Sequence, residues 1–296
     1  MNFLGFGNSA NFVFKLNSIK GRPTKTVKHE GGSIEELVIF QGDEPIRGEV
    51  TVVPKGKKVE HIGIKIELVG QIEFLYDRGN PIEFTSLVRE LAAPGVLYFE
   101  KSFEFDFSNV EKKYESYNGL NVQLRYFLRA TVSKPYGQST KEQDFWVQSI
   151  QPEPVMNNNI KMEVGIEDCL HIEFEYEKSK YHLHDSVVGK IFFQLVRLKL
   201  DHMEINIQRW ESTGSGMNKT TEKEILSKFE IMDGSPVREE CIPVRLYLDG
   251  KKLTPSYDNV NNMFSVRYFL NLVLVDQSGR RYFKAQEITL WRKDFG

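Results

Sequence analysis

Segments of the first half of this 296-residue sequence recur in the second half at a nearly constant spacing. Residues 44–50 resemble residues 185–191, and residues 61–66 resemble residues 202–207, each pair 141 positions apart (44 to 185, 61 to 202). The string Arg-Tyr-Phe-Leu at residues 125–128 returns at an offset of 142 (125 to 267). Three matches in register over about eighty residues predict that the chain contains one domain twice.

Both halves contain segments in which apolar and polar residues alternate. Residues 62–68 place isoleucine or leucine at every second position, and residues 103–107 do the same with phenylalanine. In the second half, residues 264–275 and 280–291 are two strand-like runs joined by a turn of sequence Asp-Gln-Ser-Gly. A period of two is typical of strands that bury one face. The sequence therefore predicts two similar units, each built from two packed β-sheets.

One segment departs from the period of two. Phe84, Leu87, Val88 and Leu91 stand at positions i, i+3, i+4 and i+7, which is the spacing of one helix face. An Ala-Ala-Pro-Gly string follows at residues 92–95 and would end a helix. The pattern predicts one short helix in the first unit, without a clear counterpart in the second half.

The length of the chain and the composition of its middle predict where the two units separate. A chain of this length suits two domains of about 150 residues. Residues 149–159 include Pro152, Pro154 and three consecutive asparagines, a composition typical of a linker. We predict an all-β fold of two tandem immunoglobulin-like β-sandwich domains, residues 1–148 and residues 160–296, joined by this linker.

Charge and cysteine content limit the classes of partner and compartment. The formal net charge of −2 does not favour nucleic acid, which requires a basic face. No apolar run approaches the ~20 residues needed to span a bilayer. The two cysteines, Cys169 and Cys241, lie in apolar strand-like segments and cannot form a disulfide framework. We expect both to be buried free thiols in a reducing compartment.

The motifs that usually accompany catalysis or metal binding are missing from the sequence, so neither a catalytic nor a metal site is predicted. There is no glycine-rich phosphate loop, His-Glu-x-x-His motif, Cys-x-x-Cys pair or Gly-x-Ser-x-Gly motif. The densest histidine group is His171, His182 and His184. His182 and His184 would share one side of a strand, where a metal pair competes with the commoner case of partly exposed strand histidines. Lysines in residues 54–58 form either a solubilising turn or a weak contact with anionic lipid.

Two features of the second half favour protein binding. Phe229 and Ile231 keep the period of two, but Met232 breaks it just before a turn. An exposed apolar pair at a loop would anchor a partner, whereas the alternative places Ile231 in the core. Residues 160–166 follow the linker and would form either an edge strand able to receive a peptide or an ordinary paired strand.

Long strings of the sequence resemble the family of vacuolar protein sorting-associated protein 26, the arrestin-like subunit of the retromer coat. The resemblance covers nearly the whole chain, and its strings are residues 160–176, 178–183, 114–117 and 69–73 together with Leu-Trp-Arg-Lys at 290–293. It implies the arrestin fold and a non-catalytic trafficking subunit without a cofactor.

The resemblance also implies partners and the residues that bind them. By position, Ile231 and Met232 match the family's binding loop for the α-solenoid subunit, vacuolar protein sorting-associated protein 35. Vacuolar protein sorting-associated protein 29, a metallophosphoesterase-like subunit, would join indirectly. Val164 and Phe283 match positions that, with a sorting nexin, receive aromatic-x-leucine cargo tails. The resemblance also implies that the protein associates only peripherally with endosome membranes.

The resemblance is incomplete, and a second hypothesis stays open. Residues 41–44 differ from the Tyr-Asp-Gly-Glu string of animal members, where a PDZ-bearing sorting nexin docks, so that partner is not predicted. The second hypothesis is a stand-alone arrestin-type adaptor that binds receptor tails through an interdomain groove.

Overall fold

The computed structural model describes residues 9–17, 19–28, 32–76, 80–108, 110–166, 168–214 and 216–293. The chain forms two compact units, Met1–Ser149 and Ile150–Gly296. Nearly all regular structure in the described residues is β-strand, and the single helical segment among them is a short 3-10 turn, Gly216–Asn218. The predicted all-β fold of two β-sandwich units is confirmed.

The first unit contains twelve strands in the described residues: β1 Ala10–Leu16, β2 Thr24–Lys28, β3 Ile34–Gln41, β4 Ile46–Pro54, β5 Val59–His61, β6 Gly63–Phe74, β7 Ile82–Ala92, β8 Gly95–Leu97, β9 Lys101–Phe107, β10 Tyr117–Asn118, β11 Val122–Ser133 and β12 Gln138–Gln148. One sheet has the order β1-β4-β9. The facing sheet has the order β2-β3-β12-β11-β6-β7, with β10 added beside β11. A small ribbon of β5 and β8 closes one end.

The second unit contains ten strands in the described residues: β13 Ile160–Ile166, β14 Leu170–Tyr176, β15 Lys180–His182, β16 Ser186–Val196, β17 Leu200–Thr213, β18 Thr220–Asp233, β19 Cys241–Tyr247, β20 Tyr257–Val260, β21 Phe264–Asp276 and β22 Arg281–Trp291. One sheet has the order β13-β14-β16-β19. The other has the order β15-β22-β21-β17-β18, with β20 beside β21.

The strand pairing repeats in the two units, as the sequence repeat predicts. The three repeated segments lie on β4 and β16, on β6 and β17, and on β11 and β21. β12 receives β3 as a parallel neighbour, and β22 receives β15 in the same way. Gly48 and Gly189, 141 positions apart, are both crowded: a Cβ at either would lie within 2.4 Å of a backbone carbonyl oxygen.

The core of each unit centres on one strand that has partners on both sides. β11 lies between β6 and β12, and β21 lies between β17 and β22. Along β21 every side chain except that of Arg267 is buried. Each large apolar side chain removed from water stabilises the fold by about 1.5–3 kcal/mol. Burial along the central strands therefore contributes strongly to the stability of each unit.

A buried tyrosine on each central strand fixes a loop of its own unit. The hydroxyl of Tyr126 donates a hydrogen bond to the backbone oxygen of Tyr114, 3.0 Å away. The hydroxyl of Tyr268, its counterpart in the repeat, accepts a hydrogen bond of 3.0 Å from the backbone N–H of Thr254. Burial raises the pKa of both tyrosines, so both stay protonated.

The short helix predicted for residues 84–91 is wrong, because those residues belong to β7. β7 pairs antiparallel with β6, and two β-bulges leave Phe84 and Leu91 without a direct partner in the ladder. Each bulge shifts the alternation of side chains by one position, so Phe84, Leu87 and Leu91 are all half-buried. Val88 is an exposed apolar side chain that completes the apparent helical spacing. The segment also has a counterpart, because β18 pairs with β17 as β7 pairs with β6.

The predicted burial of the two cysteines is wrong, although both are free thiols as expected. Cys241 is exposed because it begins β19, where the inward positions are those of Val244 and Leu246. Cys169 is partly exposed in the tight turn between β13 and β14, where its N–H bonds the carbonyl of Ile166. The apolar residues around each cysteine point inward, and the cysteines do not.

We expect Gly189→Ala to lower the free energy of unfolding by about 2–3 kcal/mol, because overpacking at a rigid site is costly. The new Cβ would lie 2.3 Å from the carbonyl oxygen of Glu175 and 2.7 Å from the ring of Tyr176. Gly165→Ala is the matched control, since its Cβ would meet nothing closer than 3.7 Å. Urea unfolding of both variants measures the difference, and equal losses would contradict the crowding at residue 189.

Candidate functional site

The long hairpin of β17 and β18 presents an open sheet edge in the second unit. β18 pairs with β17 on one side, and no other described strand pairs with its outer side. Its apolar side chains are only half-buried or exposed, and Ile225 is 48% exposed. An open edge with apolar side chains can add a partner by backbone pairing or by side-chain insertion.

The break in alternation at Met232 corresponds to a β-bulge. Met232 pairs with Met203 and Glu230 pairs with Glu204, which leaves Ile231 as the extra residue. The bulge turns two consecutive apolar side chains away from the regular pleat. Ile231 and Met232 are therefore both half-buried, so neither belongs fully to the core.

The turn that follows this pair is held by specific hydrogen bonds. Gly234 adopts a positive φ of 81°, and its N–H donates to the carbonyl of Asp201 at 2.6 Å. The hydroxyl of Ser235 donates to the carbonyl of Leu200 at 2.8 Å. A fixed turn lowers the entropy that Ile231 and Met232 would lose on binding a partner.

The strand that carries Val164 lies at a sheet edge. β13 pairs only with β14 among the described strands, and Val164 stands opposite Ile172. The apolar side chains of β13 are half-buried, whereas Lys161, Glu163 and Gly165 are exposed. Of the two possibilities that the sequence left open for residues 160–166, the edge strand is confirmed, because no other described strand pairs with its outer side.

Phe283 lies on β22 in the other sheet and is 61% exposed. It stands opposite Val273 of β21. On its other side β22 meets β15, but that parallel pairing starts only at Thr289. The first part of β22 thus has an open outer side within the described residues, and Phe283 projects beside it.

Val164 and Phe283 lie along the same side of the second sandwich. β18 lies beside β19, so these two edges close one side, and β13 and β22 share the opposite side. β15 continues from β14 and places Lys180 opposite Thr289. Phe283 lies six residues before Thr289 (289 − 283), which is about 20 Å along β22 at about 3.3 Å per residue. This distance puts Phe283 about level with the middle of β13, the strand that carries Val164.

The histidines noted in the sequence do not converge. The ring of His184 bonds Asp249, and Nδ1 of His182 accepts the N–H of His184. His171 instead faces Glu163 and Glu173 on the outer face of β13 and β14, and these three form the one cluster among the described residues close enough to share a metal ion.

None of the helical segments described has the length and apolarity to cross a membrane.

The sequence analysis missed a group of exposed aromatic side chains in the first unit. Phe99, Tyr136 and Tyr98 are 82%, 80% and 59% exposed. Tyr136 lies in a Lys-Pro-Tyr-Gly turn, and an aromatic residue between proline and glycine was the available signal, because such turns expose their side chains. Phe99 carried no comparable signal.

Two duplicated β-sandwich units whose described strands leave apolar open edges define an arrestin-like scaffold for protein binding. The model of the family described as vacuolar protein sorting-associated protein 26 matches residues 6–279. The chain belongs to this family. Members of this family are components of the protein-sorting machinery and are not enzymes, which confirms the prediction that the chain is not an enzyme.

Curated relatives extend this similarity over the whole chain. Vacuolar protein sorting-associated protein 26 of Dictyostelium discoideum is 57% identical over 99% of this chain and 85% of its own length. Vacuolar protein sorting-associated protein 26B is 55% identical in Danio rerio and 54% identical in Homo sapiens, each over 99% of this chain and 89% and 88% of the relative. These identities support a role in vacuolar protein sorting.

We expect amide hydrogens of β13 to exchange with deuterium at least about a hundredfold faster on average than those of β14, because open-edge amides face water. β14 is the matched control: it has the same length and is paired on both sides, by β13 and β16. Residue-resolved exchange of the isolated chain measures both strands, and equal protection would contradict the open edge.

Proposed function

We propose that the chain is a non-catalytic subunit of the retromer coat on endosomes. In this role it binds the α-solenoid subunit, vacuolar protein sorting-associated protein 35, and through it joins vacuolar protein sorting-associated protein 29. Together with sorting nexins it selects transmembrane cargo for transport to the Golgi or the plasma membrane. Family membership supports this role over a stand-alone adaptor for receptor tails.

The observation that carries the proposal is the half-buried pair of Ile231 and Met232 at the bulge of β18. We assign the solenoid contact to this pair. A groove between solenoid helices would accept the two side chains as anchors, and burying each would contribute about 1.5–3 kcal/mol. Glu230 and Asp233 flank the pair and are exposed, so they would form a polar rim.

We expect Ile231→Asp to abolish co-purification with the solenoid subunit, because a buried unpaired carboxylate opposes docking at an apolar contact. The midpoint of thermal unfolding should change little, since Ile231 is the unpaired residue of a bulge and is only half-buried. A pull-down with purified solenoid subunit, together with a melting curve, measures both effects.

Ile225→Asp is the matched control for this experiment. Ile225 is an exposed isoleucine on the same strand, about 20 Å from Ile231 at the usual rise per residue. It should retain the solenoid subunit. If Ile231→Asp bound the solenoid subunit as strongly as the unmodified protein does, the assignment of the solenoid contact to Ile231 and Met232 would be wrong.

We further propose that the side of the sandwich shared by β13 and β22 takes the cargo tail with a sorting nexin. An extended peptide would add to the open edge of β13 beside Val164, and its aromatic or leucine side chain would pack on Phe283. The exposed ring of Phe283 and the open backbone of β13 both support this arrangement.

We expect Phe283→Ala to weaken binding of an aromatic-x-leucine peptide at least about thirtyfold when the sorting nexin is present, the loss usual for a central aromatic anchor. Fluorescence polarisation of a labelled peptide measures the affinity. Tyr247→Ala is the control, because Tyr247 is 56% exposed on β19 at the opposite edge. Equal affinities of the two variants would remove Phe283 from the cargo site.

A further inference from the structure

Several loops of the first unit meet at one end of its sandwich. β4 ends there and β6 and β9 begin there, and the hairpin that joins β11 to β12 turns there. The ribbon of β5 and β8 lies between these strand ends. We call this end, formed by residues 55–62, 93–101 and 134–137, the loop end. None of the residues assigned above to partners lies on it.

The loop end concentrates exposed apolar side chains. Phe99 is 82% exposed and Tyr136 is 80% exposed. Three more large apolar side chains of this end are between 41% and 59% exposed, namely Tyr98, Ile62 and Val96. The five residues come from the three segments of the loop end, and exposed apolar residues on a protein surface usually occur singly rather than in such a group.

The loop end is positively charged although the whole chain is slightly negative. Lys58 lies beside Tyr98 and pairs with Glu60 at 2.5 Å. The remaining lysines of the end are Lys55, Lys57, Lys101 and Lys134, against one further acidic residue, Glu100. Five lysines among exposed aromatic rings are a combination that anionic surfaces attract.

The exposed tips rest on an ordered base. The N–H of Ile62 donates to the carbonyl of Ser133 at 2.9 Å, and the N–H of Lys134 donates to Gly137 at 3.0 Å. His61 lies below the tips, is only 6% exposed, and loses protons readily because burial and nearby Lys101 lower its pKa. Because hydrogen bonds hold the backbone beneath them, the exposed side chains of the loop end lose little conformational entropy on binding.

We propose that the loop end docks on the surface of an anionic phospholipid bilayer. The rings of Phe99, Tyr98 and Tyr136 would enter the headgroup layer, the position that amphipathic aromatic rings favour. The lysines would contact the phosphates, and each would strengthen binding about fivefold. Exposed rings on different segments, interspersed with lysines, suit a deformable anionic surface better than a single protein pocket, which favours this occupant over a folded partner.

This contact goes beyond the proposed function, whose assigned residues bind the solenoid subunit and the cargo tail. It requires neither the solenoid subunit nor a cargo tail, so it can be tested on the isolated chain. Failure of this test would leave the solenoid and cargo assignments untouched, because those concern residues of the second unit.

The experiment is co-sedimentation of the purified chain with vesicles of phosphatidylcholine containing about 30% phosphatidylserine, against pure phosphatidylcholine, at low and high salt. We expect binding to the anionic vesicles that weakens with salt. Phe99→Asp should weaken it at least about tenfold, since the ring leaves the interface and a repelled charge replaces it. Lys57→Glu should weaken it by a similar factor.

Two controls carry the same changes elsewhere. Val155→Asp alters a fully exposed apolar residue of the second unit, and Lys252→Glu alters an exposed lysine of the same unit. Both should bind like the unmodified chain, and melting curves should coincide for all four variants. No binding to anionic vesicles, equal binding to neutral vesicles, or full binding by Phe99→Asp would overturn the proposal.

Discussion

The pairing of β11 and β21 on both sides is the constraint on which the rest of the structure depends. A strand flanked on both sides and covered on its inner face buries side chains along nearly its whole length, as β21 does, where only Arg267 is exposed. The other strands of the same sheet take positions by ladder pairing outward from each central strand, and a second, separate sheet completes each sandwich. Tyr126 and Tyr268 then fix one loop of each unit to its central strand. The same central strand and the same tyrosine contact therefore organise both units.

An open β-sandwich leaves sheet edges, which can cause aggregation but can also bind partners. Unpaired backbone groups invite aggregation, which natural sheets avoid with bulges and charges. Here β18 has two bulges, one of them at Ile231, and β13 alternates its apolar residues with Lys161 and Glu163. The same devices shape the proposed contacts, because a bulge presents two adjacent apolar side chains and an alternating edge admits an extended peptide.

Much of the fold could be predicted from the sequence, and the failures share one cause. Alternation is a local property, so it predicted strands correctly wherever the ladder was regular. Bulges break the alternation, and residues 84–91 therefore imitated a helix although they pair with β6 along their length. The break at Met232 was a bulge as well, but there a flanking alternation preserved the strand prediction. The burial of Cys241 was predicted wrongly for a related reason, since alternation places it outward although apolar residues follow it in β19.

The sequence by itself determined the duplication, the all-β class and the resemblance to the family, because strings and periods are written along the chain. The resemblance supplied the four residues that are proposed to bind partners. The tertiary structure alone decided that β13 and β18 are edges, since edge status depends on whether a distant strand pairs on the outer side. It also decided that Val164 and Phe283 share a side of the sandwich, and that Phe99 and Tyr136 both lie at the loop end. Residues far apart in sequence become neighbours only through ladder pairing, and that pairing is a long-range interaction that no local pattern encodes.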